Sequence, residues 1–200
     1  GNCEAITEIT GPDNVLGGLC FVCINRIEPG LIRHTAGGRL SIGEWKPGMD
    51  GRAAEVARRF KAAGIPANAV ENLQAAQWEK LIWNVPFNGL SVARGGVTTD
   101  ILLDSGETEN EIRALMAEVI AAARAQGLEL GDDLIDFNVE RTRPMGPYRT
   151  SSMIDFVDGR EVEIDGIWRE PLRRAKEIGV PMPRLEKLLG EIEDRIAERH

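Results

Sequence analysis

Residues 73–94 read LQAAQWEKLIWNVPFNGLSVAR and predict one long helix with a polar stripe along it. Lys80, Asn84 and Asn88 recur every fourth residue, and a step of four along a helix turns by only about 40°. One cation and two carboxamides therefore share a single face. Large apolar side chains surround that face: Trp78, Leu81, Ile82, Trp83, Phe87 and Leu90.

The composition of the stripe bears on its environment. Such a stripe either is the solvated face of an amphipathic helix or lines a cleft, because buried polar groups without partners are costly. Solvated faces favour Glu, Lys and Arg, whereas Asn is a poor helix former. Two carboxamides directed the same way as one Lys resemble a set of donors for a carboxylate or carbonyl group. The spacing alone leaves both interpretations open.

The whole chain has the composition of a globular protein. Its 200 residues suit one large domain or two small ones with a real core. Apolar residues make up 42 % and charged residues 28 %, which is ordinary for such a protein. The net charge is −8, with acids and bases interspersed, and this argues against nucleic-acid binding. A local basic site must therefore attract any anionic ligand.

The sequence lacks the signatures of a membrane, metal or hydrolase protein. No apolar run approaches the roughly 18 residues of a membrane span, and the N-terminus does not read as a signal peptide. Three cysteines, an odd count, indicate a reducing compartment, so we expect a cytoplasmic location without membrane contact. Cys20 and Cys23 form a CxxC motif, but no second CxxC or nearby His completes a site. We expect two buried or half-buried thiols and no metal.

Familiar catalytic and nucleotide motifs do not occur in the sequence. There is no G-x-G-x-x-G, P-loop, GxSxG or HExxH motif. Histidine occurs only at positions 34 and 200, so neither a Ser-His-Asp triad nor a His-rich metal site can form. Lys and Glu remain as general acids, and a Lys beside a developing alkoxide could both protonate and stabilise it.

An α/β segment followed by helices is predicted, with the boundary near residue 72. The first part has a short helix over 51–63 and strand-like runs over 15–27, 30–34, 39–43 and 65–70, with turns at 28–30 and 36–38. It looks incomplete, since one helix cannot cover both faces of a parallel sheet. After residue 94, further helices are predicted over 107–126, 132–143, 161–178 and 184–199, with a short one ending near Asp104.

Two later stretches add candidate polar groups. Residues 150–153 read TSSM after the rigid loop PMGP and are predicted to begin a helix. Hydroxyls there form either a simple N-cap or an anion site. Residues 161–165 read EVEID, three acids at a predicted helix start. They are either solvated or have one member directed into a cleft.

At these residues the chain resembles the ketopantoate reductase (2-dehydropantoate 2-reductase) family. The family's Lys, followed by Asn four and eight residues later, reads KLIWNVPFN here, and its SSM…D…EID segment reads SSMIDFVDGREVEID. Upstream, GPDNVLGGLCFVCINRIEPGLIRHTAGGRLSIGE is similar to the strands that follow the family's QNG motif. The three stretches occur in the family's order and span essentially the whole chain.

The resemblance implies a fold class and a division into domains. The fold would be α/β: the C-terminal part of a Rossmann-like dinucleotide-binding sheet, followed by an all-α domain similar to the C-terminal domain of 6-phosphogluconate dehydrogenase. Residues 1–72 would be the remnant of the NADP-binding domain, and residues 73–200 the helical substrate and catalytic domain. Because the family's Gly-rich turn does not occur here, the cofactor-binding residues are unknown, and we expect this chain alone to have little or no activity.

The resemblance also implies NADPH-dependent reduction of 2-dehydropantoate to (R)-pantoate in pantothenate and coenzyme A biosynthesis. Lys80 would be the general acid, and Asn84 and Asn88 would bind the substrate. Ser152 would hold the substrate carboxylate, and Glu163 would be a second catalytic residue near the NADP(H) cofactor. We expect a 2-oxo acid as the small-molecule partner and a homodimer formed through the helical domain. Two alternatives stay open: a paralogue that reduces another 2-oxo acid, and a helical association module without catalysis.

Overall fold

The computed structural model describes residues 2–46 and 51–199, which belong to two compact units, residues 1–77 and 78–200. The first unit contains a three-stranded sheet with short helices. Among residues 78–199, every regular element is a helix. The chain is therefore mixed α/β, with the sheet first and the helices after it, as the sequence predicts. The domain roles predicted for residues 1–72 and 73–200 stay predictions.

A small α/β layer forms the first unit. Its elements are α1 (Asn2–Thr10), a 3-10 turn (Pro12–Asn14), β1 (Leu16–Glu28), β2 (Leu31–Glu44), α2 (Arg52–Ala62) and β3 (Ala67–Ala69). β1 and β2 form an antiparallel hairpin, whereas β2 and β3 are parallel. The segment β2–α2–β3 is thus a βαβ unit, the building block of dinucleotide-binding sheets. Its core contains buried Ile42, Ala53, Ala57 and Ala67.

A single long strand, β2, replaces the two strands predicted over 30–34 and 39–43. The predicted turn at 36–38 is an irregularity within the hairpin, where the β1–β2 register shifts. Gly37 has a φ of 76°, and a Cβ there would lie 2.4 Å from the carbonyl oxygen of Phe21. Glycine therefore lets the strand continue through a bulge that a larger residue could not form.

The second unit is a bundle of helices. α3 (Leu73–Ala93) leads into it, followed by α4 (Thr99–Asp104), α5 (Gly106–Ala125), α6 (Asp133–Thr142), a 3-10 turn (Arg143–Met145), α7 (Ser151–Val157), a π-helix (Asp165–Arg169), α8 (Glu170–Glu177) and α9 (Pro183–Ala197). Fully buried side chains from α3, α5 and α9 dominate its core: Ile82, Phe87, Leu90, Ile112, Leu115, Met116, Ile120, Leu185, Leu188 and Ile192. Within the described ranges, no helix has the length and apolar character needed to cross a membrane.

The helix predicted over 161–178 begins later than the sequence suggests. Residues 161–163 lie outside any regular element, and the chain then enters a π-helix that continues into α8. The N–H of Glu170 bonds to the carbonyl of Asp165, five residues back. Pro171 is the second residue of α8 and directly follows the π-helix, so the wider helical turn lies where proline removes a backbone donor. Glu163 is consequently a loop residue.

Candidate functional site

The polar stripe predicted on α3 is partly enclosed. Lys80 and Asn84 are half-buried, and Asn88 is buried, with 1 % of its surface exposed. The apolar side chains of Ile82 and Phe87 on the same helix are completely buried. The stripe is therefore not a solvated helix face along its whole length, because its last member, Asn88, is buried against the start of α7.

Asn88 is the point where α3 meets the start of α7. Its Oδ1 accepts a hydrogen bond from the backbone N–H of Ser152 at 3.0 Å and another from the Ser151 hydroxyl at 3.3 Å. A backbone N–H can only donate, so the amide oxygen must face α7 and the Nδ2 group must point elsewhere. Within residues 2–46 and 51–199, Nδ2 donates no hydrogen bond. Asn88 thus retains donor capacity for a ligand.

Thr150 and Ser152 place two further hydroxyl groups at the start of α7. The Thr150 hydroxyl oxygen accepts the N–H of Met153 at 3.3 Å, so the predicted helix start is confirmed and Thr150 is its N-cap, one of the two alternatives for these hydroxyls. Ser152 is 2 % exposed, and its hydroxyl forms no hydrogen bond to the described part of the chain. The structure therefore places the Ser152 backbone N–H and the Ser151 hydroxyl next to the Asn88 amide.

The loop before α7 is anchored by α4. The Thr99 N–H donates to the carbonyl of Tyr148 at 3.1 Å, and the Thr99 hydroxyl donates to the carbonyl of Gly146 at 2.9 Å. The Tyr148 N–H also donates to Gly146, at 2.7 Å. These bonds confirm the rigid loop predicted before Ser151 and fix the direction in which α7 begins.

An aromatic cluster lies on α3 beside the amides. Trp83 stacks on Phe87 with ring centroids 5.0 Å apart and 28° between the planes. It meets Tyr148 edge-on at 6.1 Å. The indole N–H of Trp83 donates to the Thr142 hydroxyl at 2.8 Å. Phe87 is buried, whereas Trp83 and Tyr148 are half-buried, so parts of their rings are accessible.

Glu163 forms no hydrogen bond with the α3 stripe or with Ser152 in the described residues. It is exposed and precedes the π-helix, and its Oε1 lies 2.7 Å from the place that a Cβ on Gly166 would take. It lines a surface cavity together with Arg169 and Arg199. Arg169 donates hydrogen bonds to Asp165 and Glu193, and these bonds raise the pKa of its guanidinium. The role of Glu163 rests on the resemblance alone.

Trp168 joins the π-helix to α3, two segments that lie far apart in the sequence. It is fully buried, and its indole N–H donates to the carbonyl of Val85 at 3.0 Å. Gly89 makes room for it, since a Cβ there would lie 2.9 Å from the indole nitrogen and 2.6 Å from Leu188 Cδ2. Trp168 thereby fixes the π-helix against the middle of α3. A glycine inside a long helix was the one available signal.

The start of α2 does not fit the pyrophosphate of a dinucleotide. In a nucleotide-binding βαβ unit, the phosphates bind free N–H groups at the start of the helix. Here Glu44 Oε1 accepts the N–H of Ala53 at 2.9 Å, and Glu44 Oε2 pairs with Arg52. This carboxylate takes the position of an anion and would repel a phosphate. We therefore assign no cofactor contact to α2.

The cysteines and acids show no metal-binding arrangement in the parts of the chain that the structure describes. Cys3, Cys20 and Cys23 form no disulfide within residues 2–46 and 51–199. Cys20 is exposed on β1, so the prediction of a buried or half-buried thiol holds for Cys23 and is wrong for Cys20. The β1–β2 register shifts after Phe21 and again after Cys23. Such bulges disturb the alternation of buried and exposed residues along the strand.

The chain belongs to the ketopantoate reductase family. Residues 72–195 match the family profile described as ketopantoate reductase PanE/ApbA C terminal, and residues 1–47 match ketopantoate reductase PanE/ApbA. The 2-dehydropantoate 2-reductase of Nostoc sp. is 35 % identical over 194 residues, which cover 94 % of this chain and 60 % of that relative. The chain thus spans about 60 % of the length of such a curated relative.

Solved structures show the same fold. The crystal structure of 2-dehydropantoate 2-reductase from Geobacter metallireducens GS-15 matches with a TM-score of 0.93 at 39 % identity, covering 97 % of this chain and 65 % of that one. A D-mandelate dehydrogenase solved with NADH matches with a TM-score of 0.93 at 20 % identity, covering 100 % of this chain and 68 % of that one. The predicted fold class is confirmed, and these named proteins are oxidoreductases.

Proposed function

We propose that the protein is an NADPH-dependent reductase that converts 2-dehydropantoate to (R)-pantoate in pantothenate and coenzyme A biosynthesis. Membership in a family whose named members are 2-dehydropantoate 2-reductases supports the reaction. The observation that carries the proposal is the bond between Asn88 and the Ser152 N–H. It brings together two segments that each offer a hydrogen-bond donor to a ligand.

Substrate binding follows from the donors at this point. A 2-oxo acid presents a carboxylate and a carbonyl oxygen, which only accept hydrogen bonds. The Asn88 Nδ2 group and the Ser152 hydroxyl would hold the carboxylate, and Asn84, one turn earlier, would bind the remaining oxygens. Hydrogen bonds to a charged group contribute about 1.5–3 kcal/mol each. Three such donors on rigid elements account for specific binding of a small acid.

Lys80 is the general acid in this proposal. When the carbonyl carbon is reduced, its oxygen becomes an alkoxide that must take up a proton. The Lys80 ammonium supplies that proton, and its positive charge stabilises the negative charge as it develops. Its place on the stripe, one turn before Asn84, is consistent with this role. Glu163 is proposed as the second catalytic residue, which hydrogen-bonds the substrate and helps to orient it.

The domain roles belong to the same proposal. In this proposal residues 1–72 belong to the NADP-binding domain, and residues 73–200 form the substrate and catalytic domain. NADPH is the reductant that the family reaction requires, and its binding residues are unknown because the Gly-rich motif does not occur in this sequence. The homodimer, the cytoplasmic location and the low activity expected of this chain alone stay predictions.

Replacement of Lys80 by Ala in the full-length protein tests the proposal. With 2-dehydropantoate and NADPH, we expect kcat to fall by about 10²–10⁴, the usual contribution of general acid catalysis. Lys187→Ala is the matched control, because Lys187 is exposed on α9 and pairs with Glu191 on the same helix. It should retain turnover. If Lys80→Ala loses assembly in size-exclusion chromatography but retains turnover, the assignment of Lys80 as the general acid is wrong.

A further inference from the structure

Two rows of side chains run side by side along α3. Asn84 and Asn88 form one row, and Trp83 and Phe87 form the other, each pair being four residues apart. The centre of the aromatic row lies about 100° round the helix from the centre of the amide row. A ligand that binds the two amides therefore has aromatic side chains along one flank.

Tyr148 continues this aromatic flank from a second segment. Its ring meets Trp83 edge-on, and it closely precedes Ser151 and Ser152, the residues that donate to Asn88. The same two segments, α3 and residues 148–152, thus carry both the polar donors and the aromatic rings. We call the accessible rings of Trp83 and Tyr148 the aromatic wall.

The aromatic wall is held in place from behind. Trp83 donates to the Thr142 hydroxyl, which in turn donates to the carbonyl of Asn138 at 2.7 Å. Phe87 supports the indole face and is itself fully buried. The backbone of Tyr148 is hydrogen-bonded to α4 through Thr99. A wall fixed in this way selects by shape, since packed side chains do not readily move to suit a poorly fitting ligand.

We propose that Trp83 and Tyr148 determine which 2-oxo acid the site accepts, by packing against the substrate beyond its carbonyl carbon. An accessible aromatic surface favours a branched or aromatic group, which buries apolar area against it. The two rings carry no positive charge to pair with a second carboxylate, whose desolvation would be costly. This proposal rests on the proposed function, because it takes Asn84, Asn88 and Ser152 as the binding site.

Four 2-oxo acids test the proposal in the full-length protein with NADPH: 3-methyl-2-oxobutanoate, phenylglyoxylate, pyruvate and 2-oxoglutarate. We expect kcat/KM for the branched and aromatic acids to exceed that for the other two by about tenfold or more, a normal discrimination by an apolar pocket. Trp83→Leu and Tyr148→Ala should each reduce this ratio severalfold, whereas Tyr148→Phe should keep it. Phe137→Leu is the matched control, because Phe137 is an exposed aromatic residue on α6.

The outcomes separate this proposal from the function on which it rests. Equal kcat/KM for the four acids, or a preference that survives both wall variants, overturns the role of the aromatic wall and leaves the reductase assignment intact. No turnover with any of the acids or with 2-dehydropantoate overturns the reductase assignment itself. If Trp83→Leu does not fold, the comparison of Tyr148→Ala with Tyr148→Phe still decides, because Tyr148 is only half-buried.

Discussion

The side-chain oxygen of Asn88 accepts the backbone N–H of Ser152 at 3.0 Å, so one buried amide joins segments 64 residues apart. The oxygen of Asn88 serves the fold, and its Nδ2 group is left for a ligand. The Oδ1 atom of Asn88 therefore has a structural role and its Nδ2 group a binding role, and two different substitutions can separate these roles.

Asn88→Ala and Asn88→Asp should differ in stability. Alanine leaves the buried Ser152 N–H without an acceptor, so we expect the free energy of unfolding to fall by about 1–3 kcal/mol. Aspartate keeps the acceptor, and the two donors at the start of α7 offset part of the cost of burying its charge, so it should lose less stability than alanine. Because it lacks the Nδ2 donor, we expect 2-oxo acid affinity to fall about tenfold or more. Urea denaturation and calorimetric titration measure the two effects. If Asn88→Ala has the stability of the wild type, the structural role of the Asn88 oxygen is contradicted.

Gly89→Ala and Gly190→Ala should change stability in opposite directions. A Cβ at Gly89 meets Leu188 and the Trp168 indole, and such overpacking costs about 1–3 kcal/mol, more than the helix propensity gained. At Gly190, on α9, a Cβ meets no atom within 4 Å. Alanine should there stabilise the helix by about 0.5–1 kcal/mol. Thermal denaturation of both variants checks the prediction, and a stabilised Gly89→Ala protein would refute the close approach of Trp168.

Glu118 on α5 caps the start of α9. Its two carboxylate oxygens accept the N–H groups of Arg184 at 2.9 Å and Leu185 at 3.0 Å. Glu118→Ala removes both acceptors and should lower the free energy of unfolding by about 1–2 kcal/mol, as for other lost caps. Glu118→Gln keeps one acceptor and should lose less. Glu129→Ala is the control, because Glu129 is an exposed residue outside any helix, and it should leave the urea midpoint unchanged.

The ion pairs of Glu170 should make the free energy of unfolding decrease at acidic pH. Hydrogen bonds from Arg173 and Arg174 lower the pKa of Glu170 from 4.5 to about 2, although partial burial acts in the opposite direction. Because the folded-state pKa is lowered, the stabilisation is complete above the ordinary pKa and disappears as the pH falls from about 4.5 through about 2.

Glu170→Gln tests this effect. The ion pairs are partly exposed, so the variant should lose only about 0.5–1 kcal/mol at pH 7. The difference from wild type should shrink as the pH falls through the same window. Urea denaturation at pH 7, 4 and 2.5 measures it. A difference that is independent of pH would mean that the side chain acts through packing and not through its charge.

Local patterns made part of the site predictable from the sequence. Lys80, Asn84 and Asn88 could be placed on one face because a helix repeats every 3.6 residues. The contact of Asn88 with Ser152 could not be derived in this way, since it joins distant segments, and only the family resemblance brought Ser152 into consideration. For Glu163, the resemblance still supplies the only reason to place it in the site.

Two predictions of secondary structure were wrong because one local sequence pattern fits two different structures. The acids at 161–165 predict the first turn of a helix, but the helix begins at Ile164. A π-helix then precedes Pro171. Gly37 and Gly38 read as a turn, although the same residues also suit a bulge inside a strand. Pairing with β1 decided between the two, and no short window of sequence contains that information.

The bond between Trp168 and Val85 also affects how the protein folds during synthesis. The two residues are 83 positions apart, so at about 5–20 residues per second Trp168 is added roughly 4–17 s after Val85. Throughout that interval the face of α3 that Trp168 covers has no partner and is open to chaperones. Leu188, which also packs at Gly89, is added later still. The helical unit therefore completes its core only when α9 has emerged from the ribosome.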